Sequence, residues 1–130
     1  MALILLIDDD DSLRTMLRLT LTDFGHTVIE ARNGREGLAL FPHACADLVI
    51  TDIVMPESEG FEVLMTLRAK QPPVRIIAIS GGGLQSPTDY LQMAKGMGAA
   101  KVLEKPFSNE ALMAAIDEVL AEPAPEVRGV

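Results

Sequence analysis

Five short runs, most of them rich in Val, Ile and Leu, recur along this chain with helix-length spacers between them: Leu3–Ile7, Thr27–Ala31, Leu48–Thr51, Arg75–Ser80 and Lys101–Glu104. Most lack a clean polar alternation, the pattern of a strand covered on both faces. A one-sided antiparallel sheet would alternate instead. Runs buried on both sides, each followed by a helical pattern, lead to a parallel sheet sandwiched by helices. The expected fold is α/β, a doubly wound five-stranded parallel sheet with (βα) repeated five times.

The spacers agree. Leu13, Met16, Leu17, Leu21 and Phe24 form the apolar stripe of a first helix, with Arg14 and Arg18 off it and Gly25 as its stop. A weaker second helix is expected over Gly34–Phe41, since Gly34 and Gly37 lower its propensity. A third reads as Gly60–Gln71, anchored by Phe61, Leu64 and Leu67 and closed by Pro72-Pro73. Ser86-Pro87-Thr88-Asp89 supplies a cap, a first-turn proline and an early acid, so a fourth runs from Pro87 to Met97. The last starts at Ser108 or Asn109 and packs through Leu112, Ala115, Ile116 and Val119. Residues 1–120 read as one domain and 121–130 as a flexible Pro-rich tail.

Bulk properties narrow the function. A net charge of −8 argues against non-specific binding to nucleic acid or to an anionic membrane. The lone Cys45 forms no internal disulfide and suits a reducing compartment. Met1-Ala2 leads into the first run with no basic segment, and that run is far short of the roughly 20 residues a membrane span requires. A cytoplasmic location is expected. His26 and His43 read as surface histidines, and Cys45 as an inert thiol. Met93 and Met113, off the main helical stripes, are candidates for an adaptable partner surface. Gly81-Gly82-Gly83 lacks the spacing of a nucleotide-binding loop.

Ligands on doubly wound sheets bind beyond the carboxyl ends of the strands. The first run there delivers Asp8 and Asp9, the third Asp52, the fourth Ser80 and the fifth Lys105. The second ends in a plain turn, Arg32-Asn33-Gly34. Crowded carboxylates repel, and a divalent cation with oxygen ligands is the usual remedy. Asp9 and Asp52 are the best direct ligands, with Asp8 holding a coordinated water. Asp52 is also the candidate nucleophile toward phosphorus. Lys105 can offset the transferred charge, and Ser80 can donate to a phosphoryl oxygen. Asp11 reads as the cap of the first helix, and Asp10 as a solvated or supporting acid.

The strings LLIDDDDSLR, LVITDIVMPESEGFEVL, IIAISGG and GAAKVLEKPF, in this order over residues 2 to about 120, resemble the receiver (CheY-like) domain of two-component response regulators. The resemblance implies a flavodoxin-like sheet of order 2-1-3-4-5, bound Mg²⁺ or Mn²⁺, and phosphorylation of one aspartate by a phosphohistidine donor. Asp8 and Asp9 become the acid pair, Asp52 the phosphoacceptor, Ser80 the switch hydroxyl, Lys105 the family's lysine, and the Val54 carbonyl a backbone metal ligand. A cis Lys105-Pro106 bond is also implied. The implied partners are a sensor histidine kinase or a histidine phosphotransfer protein, and a downstream protein target. The donor docks on the first helix and the loop after Lys105; output uses the fourth helix, fifth strand and fifth helix. The chain is expected to act alone, as a monomer or a weak phosphorylation-dependent dimer, without nucleic acid or membrane. As a self-modifying acceptor it is not expected to turn over an external substrate. Two alternatives stand beside this reading. A haloacid dehalogenase-like phosphatase would need a further acid pair, for which Asp117-Glu118 is poorly placed. A pseudo-receiver scaffold would have no use for the intact acids, hydroxyl and lysine.

The chain departs from the family at particular positions. Ser58-Glu59-Gly60 replaces the usual Met-Asp-Gly, and Val102 stands where the family places its aromatic switch residue. A ring rotation therefore has no counterpart here, and the glycine-rich loop 81–83 is expected to respond instead. Positions two beyond the acceptor and two beyond the switch hydroxyl are Val54 and Gly82, where resembling proteins use polar side chains to align the hydrolytic water. Neither residue can do so, which predicts a long-lived phosphoryl group. Decay of the labelled protein should be slower than that of Val54→Asn; equal lifetimes would refute it.

Overall fold

The computed structural model describes residues 2–52, 59–69, 74–80 and 99–121, without the side chains of Glu59, Phe61, Leu64, Arg68 and Ser80. The described elements are β1 (Leu3–Ile7), α1 (Asp11–Asp23), β2 (Thr27–Ala31), α2 (Gly34–Ala44), β3 (Leu48–Asp52), α3 (Glu59–Arg68), β4 (Arg75–Ser80), β5 (Lys101–Glu104) and α4 (Asn109–Ala121). All five strands are parallel, in the order β2-β1-β3-β4-β5. The fold class and strand order expected from the sequence are those found. The helix expected over Pro87–Met97 and the tail from 122 lie outside the described residues.

Side chains alternate across the sheet and fill two cores. Ile4, Leu6, Leu48, Ile50, Ile77 and Ile79 pack beneath α1 and α4, against Leu17, Leu21, Leu112 and Ile116. Leu5, Ile7, Val49, Ile76 and Ala78 pack on the opposite face with Val63 and Leu67 of α3, joined by Leu38 and Phe41 of α2. Burial on both faces explains why the strand sequences lack alternation.

Helix ends follow their caps. Asp10, rather than Asp11, caps α1: its carboxylate accepts the Leu13 N–H at 3.1 Å, leaving Asp11 in the first turn. At the other end the Gly25 N–H bonds to the Thr22 carbonyl and the His26 N–H to that of Leu21, with Gly25 at φ 92°. This is a Schellman closure, which the glycine makes sterically easy. It turns the next residue inward. His26 is buried, not superficial as its sequence setting suggested, and its Nδ1 accepts the Ala2 N–H at 3.1 Å.

Asn33 is more than a turn residue, for its side chain accepts the Glu36 N–H at 2.8 Å and starts α2. That helix passes through Pro42 and ends at Ala44, three residues later than expected, with Cys45 as its cap in the left-handed region. His43 and Cys45 are exposed. Helix α3 starts at Glu59 and ends at Arg68, one residue before and three residues short of its sequence bounds. Ser108 caps α4, accepting the Ala111 N–H at 3.0 Å.

The stripe on α1 is rotated from its sequence reading. Leu17 and Leu21 are buried, but Met16 and Phe24 are more than half exposed and Arg14 is buried. Met113, one candidate for a partner surface, lies in the core; Met93 is outside the described residues.

Gly37 is required by close packing. A Cβ there would stand 2.4 Å from Ile7 Cδ1 and 2.7 Å from its Cγ1, and Ile7 is fully buried. The propensity gain of Gly37→Ala in a helix, about 1 kcal/mol, is outweighed by overpacking of about 1–3 kcal/mol. Denaturant unfolding should show the variant less stable; a more stable Gly37→Ala would disprove this contact.

Candidate functional site

Strand register brings the acids together before any side-chain chemistry is considered. β1 and β3 are neighbours with Ile7 opposite Thr51, so the next pair in register is Asp8 and Asp52. Both share the side-chain parity of the α1/α4 face, because Ile4 and Leu6 on one strand and Leu48 and Ile50 on the other point there. Lys105 follows Leu103, which packs on that same face. Three chemically distinct side chains therefore converge at the carboxyl edge.

Their geometry is tight. Lys105 Nζ donates to Asp52 Oδ2 at 2.7 Å and lies 3.7 Å from Asp8 Oδ2. Carboxylate oxygens of Asp8, Asp9 and Asp52 all lie within 4.8 Å of one another. Asp8 is 1% and Asp52 4% exposed, whereas Asp9 faces solvent. Asp8 Oδ1 accepts the Asp10 N–H at 2.9 Å, but the buried Oδ2 has no hydrogen-bond partner. An orphaned anionic oxygen beside further carboxylate oxygens is a donor set that fits a hard divalent cation such as Mg²⁺.

Electrostatics point the same way. Burial pushes the Asp8 carboxyl up to about 6, and the charges of Asp52 and Asp9 add to the rise, against the Asp10 N–H and Lys105. Burial pulls Lys105 downward, but its hydrogen bond to Asp52 and the charges of Asp52, Asp8 and Asp10 outweigh that, for a net rise. The ammonium stays charged. Asp52 thus has a matched cation, and Asp8 is short of one.

Other sequence candidates fall out variously. Ser80 ends β4 opposite Glu104 on β5, so its backbone reaches the same edge. Val102 is half-buried and packs on the α2/α3 face, away from the acids. Val54 and the 81–83 loop lie outside the described residues. The Lys105-Pro106 peptide is cis. Asp117 and Glu118 are exposed on α4, with Glu118 paired to Lys101 at 2.9 Å, and so supply no second acid pair to the pocket.

One feature was missed by reading the sequence. Arg14 is 10% exposed and donates from Nη1 to the Asp8 carbonyl at 2.8 Å, while reaching Asp11 at 2.6 Å and Glu30 at 3.3 Å. The available signal was Glu30, an acid inside a strand that needs a cation. Along the first helix and the loop after Lys105, the segments expected to dock the donor, runs an apolar groove of about 380 Å³ lined by Leu13, Met16, Leu17, Lys105, Pro106 and Phe107.

Comparison with known proteins agrees with this geometry. A family model described as the response regulator receiver domain matches residues 4–117. The transcriptional regulatory protein GlrR of Escherichia coli K12 is 36% identical over 122 residues, covering 94% of this chain and 27% of that protein. AfsQ1 of Streptomyces coelicolor, also a transcriptional regulatory protein, is 36% identical over 120 residues, covering 90% of this chain and 50% of its own length. This chain thus spans about a quarter to a half of these relatives. A response regulator receiver domain protein from Clostridium thermocellum superposes with a TM-score of 0.84 at 31% identity, covering 92% and 94% of the two chains. The chemotaxis response regulator CheY4 of Vibrio cholerae gives 0.80 at 34% identity over 92% and 98%. The family match runs through every strand that feeds the acid pocket, and the chain belongs to the receiver domains of two-component response regulators.

Proposed function

We propose that Asp52 accepts a phosphoryl group from a phosphohistidine donor and that the resulting charge switches binding to a downstream protein. The observation that carries this is the Lys105–Asp52 contact at 2.7 Å beside an Asp8 oxygen that no hydrogen bond satisfies. A carboxylate oxygen of Asp52 attacks phosphorus; the P–N bond to the donor breaks, and its electron pair returns to the imidazole. The product is an acyl phosphate. Lys105, already hydrogen-bonded to Asp52, holds the charge that the transferred oxygens bring. Asp8, Asp9 and Asp52, with the Val54 carbonyl as a further donor, would hold Mg²⁺ or Mn²⁺. Such an ion supplies positive charge against the phosphoryl oxygens. The Ser80 hydroxyl donates to one of those oxygens. The apolar groove between α1 and the loop after Lys105 seats the donor's helix.

Intact mass after incubation with Mg²⁺ and acetyl phosphate should rise by one phosphoryl group. Asp52→Asn should stay unlabelled, and Lys105→Met should label about 100-fold more slowly, as for loss of one preorganised charge donor. Turnover of p-nitrophenyl phosphate by the wild-type chain would overturn the acceptor reading in favour of a phosphatase.

The Asp8 carboxyl gives a pH signature to the metal-free protein. Its folded pKa, about 6, lies above the unfolded value near 3.8, so the native state retains a proton that the unfolded state has lost between those limits. Stability from this group falls as pH rises through that window, by on the order of 2–3 kcal/mol in full. In chelator, Asp8→Asn should match wild type below pH 4 and exceed it above pH 7, and excess Mg²⁺ should reverse the ranking. A difference independent of pH would be the contrary result.

A further inference from the structure

The geometry points to Arg14 as a positioning residue that fixes the peptide between the two acids of the pocket and thereby sets the affinity for a divalent cation. This rests on the reading of the acid pocket as a cation site.

Asp8 is held by its backbone from both sides. Its N–H donates to the Ala31 carbonyl of β2 at 3.2 Å, and its own carbonyl accepts from Arg14 Nη1 at 2.8 Å. The Asp8 carbonyl and the Asp9 N–H belong to one rigid peptide plane. Holding that carbonyl therefore fixes the direction in which Asp9 leaves the strand, and so the angle between the two carboxylates. Beyond β1 the strand ladder no longer does this. The guanidinium is itself oriented by Asp11 at 2.6 Å and by Glu30 at 3.3 Å, and Glu30 is shared with Arg18 at 3.0 Å. Three donors of one planar fork are thus spent on three acceptors from different parts of the chain. A lysine, with one ammonium, cannot hold all three in this way.

Charge alone makes the opposite forecast. Arg14 is a cation close to a site for cations, so removing it relieves repulsion and should tighten Mg²⁺ binding. A positioning role requires weakening instead. The sign of the effect separates the two.

The experiment is a Mg²⁺ titration of the full chain followed by amide ¹H–¹⁵N shifts, which needs no phosphotransfer. Arg14→Met should bind Mg²⁺ about 10- to 100-fold more weakly than wild type, the range for loss of a group that orients metal ligands. Arg14→Lys should fall between them. Glu30→Gln, which leaves the Arg14–Asp8 bond in place, should stay within about threefold of wild type, because it loses an ion pair without freeing the peptide. With acetyl phosphate, the half-saturating Mg²⁺ of Arg14→Met should rise by the same factor, while labelling at saturating Mg²⁺ stays within about threefold. Equal or tighter Mg²⁺ binding by Arg14→Met overturns the proposal, as does a Glu30→Gln loss of the same size. Should Arg14→Met fail to fold, wild-type affinity in Arg14→Lys overturns it. A wild-type chain showing no Mg²⁺-dependent shifts sinks the cation-site reading itself, which is a distinct failure.

Discussion

Two buried carboxylates on adjacent strand ends are the constraint to which the site's other parts answer. Register alone places Asp8 beside Asp52, with carboxylate oxygens inside 4.8 Å of each other and of Asp9. At an effective dielectric of about 20, each such pair of charges opposes the fold by on the order of 3 kcal/mol. Lys105 answers mainly Asp52, at 2.7 Å, and only weakly Asp8, at 3.7 Å. The remaining deficit sits on Asp8 Oδ2. A site that is electrostatically incomplete by itself is one in which a cation gains the most by entering.

The rest of the fold makes that incompleteness tolerable. Both faces of the sheet are covered, and β1, β3 and β4 are almost wholly buried, so the strand ends have no freedom to splay apart. Parallel topology gathers all carboxyl ends on one edge. Close packing extends to Gly37, where α2 approaches Ile7, the last residue of β1 and the one before Asp8. Repulsion between the acids is thus borne by cores that were built for other reasons.

What could be read from sequence follows from range. Buried parallel strands announce themselves locally, so all five were found within a residue, and so were the acids and lysine that follow them. Helix caps are also local, yet Asp10 and Asp11 compete for one position, and only geometry shows Asp10 accepting the Leu13 N–H. Arg14 reads as off the apolar stripe because helical periodicity weighs a side chain by type. Its burial depends on Glu30, sixteen residues on, and on a carbonyl of the strand before it. His26 was misplaced for the same reason, which also left Met113 between core and surface. The thioether fills a core gap that its own helix does not define, and the imidazole answers an N–H at the start of β1. The two segments that line the groove, α1 and the loop after β5, were named through the family resemblance, but their apolar contact is long-range and only geometry shows it.

The two cations near the acids are not equivalent, and their difference bears on how a switch could operate. Arg14 is bound by acceptors that phosphorylation would not touch: a carbonyl, and the carboxylates of Asp11 and Glu30. Lys105 is bound by the acceptor oxygen itself. If Asp52 carries a phosphoryl group, Arg14 keeps its partners while Lys105 must exchange one of its own. Lys105 is continuous with Pro106 and Phe107, which line the apolar groove against Leu13 and Met16 of α1. On the proposed function, charge added at Asp52 would reach that groove through one side chain and the two residues after it. Val102, an aliphatic residue half-buried on the opposite face, offers no rotating ring to share that task. Among the described residues, the segment after β5 joins the acid pocket to the apolar groove. A partner that seats in the groove biases the same segment in return, because coupling between two sites is reciprocal.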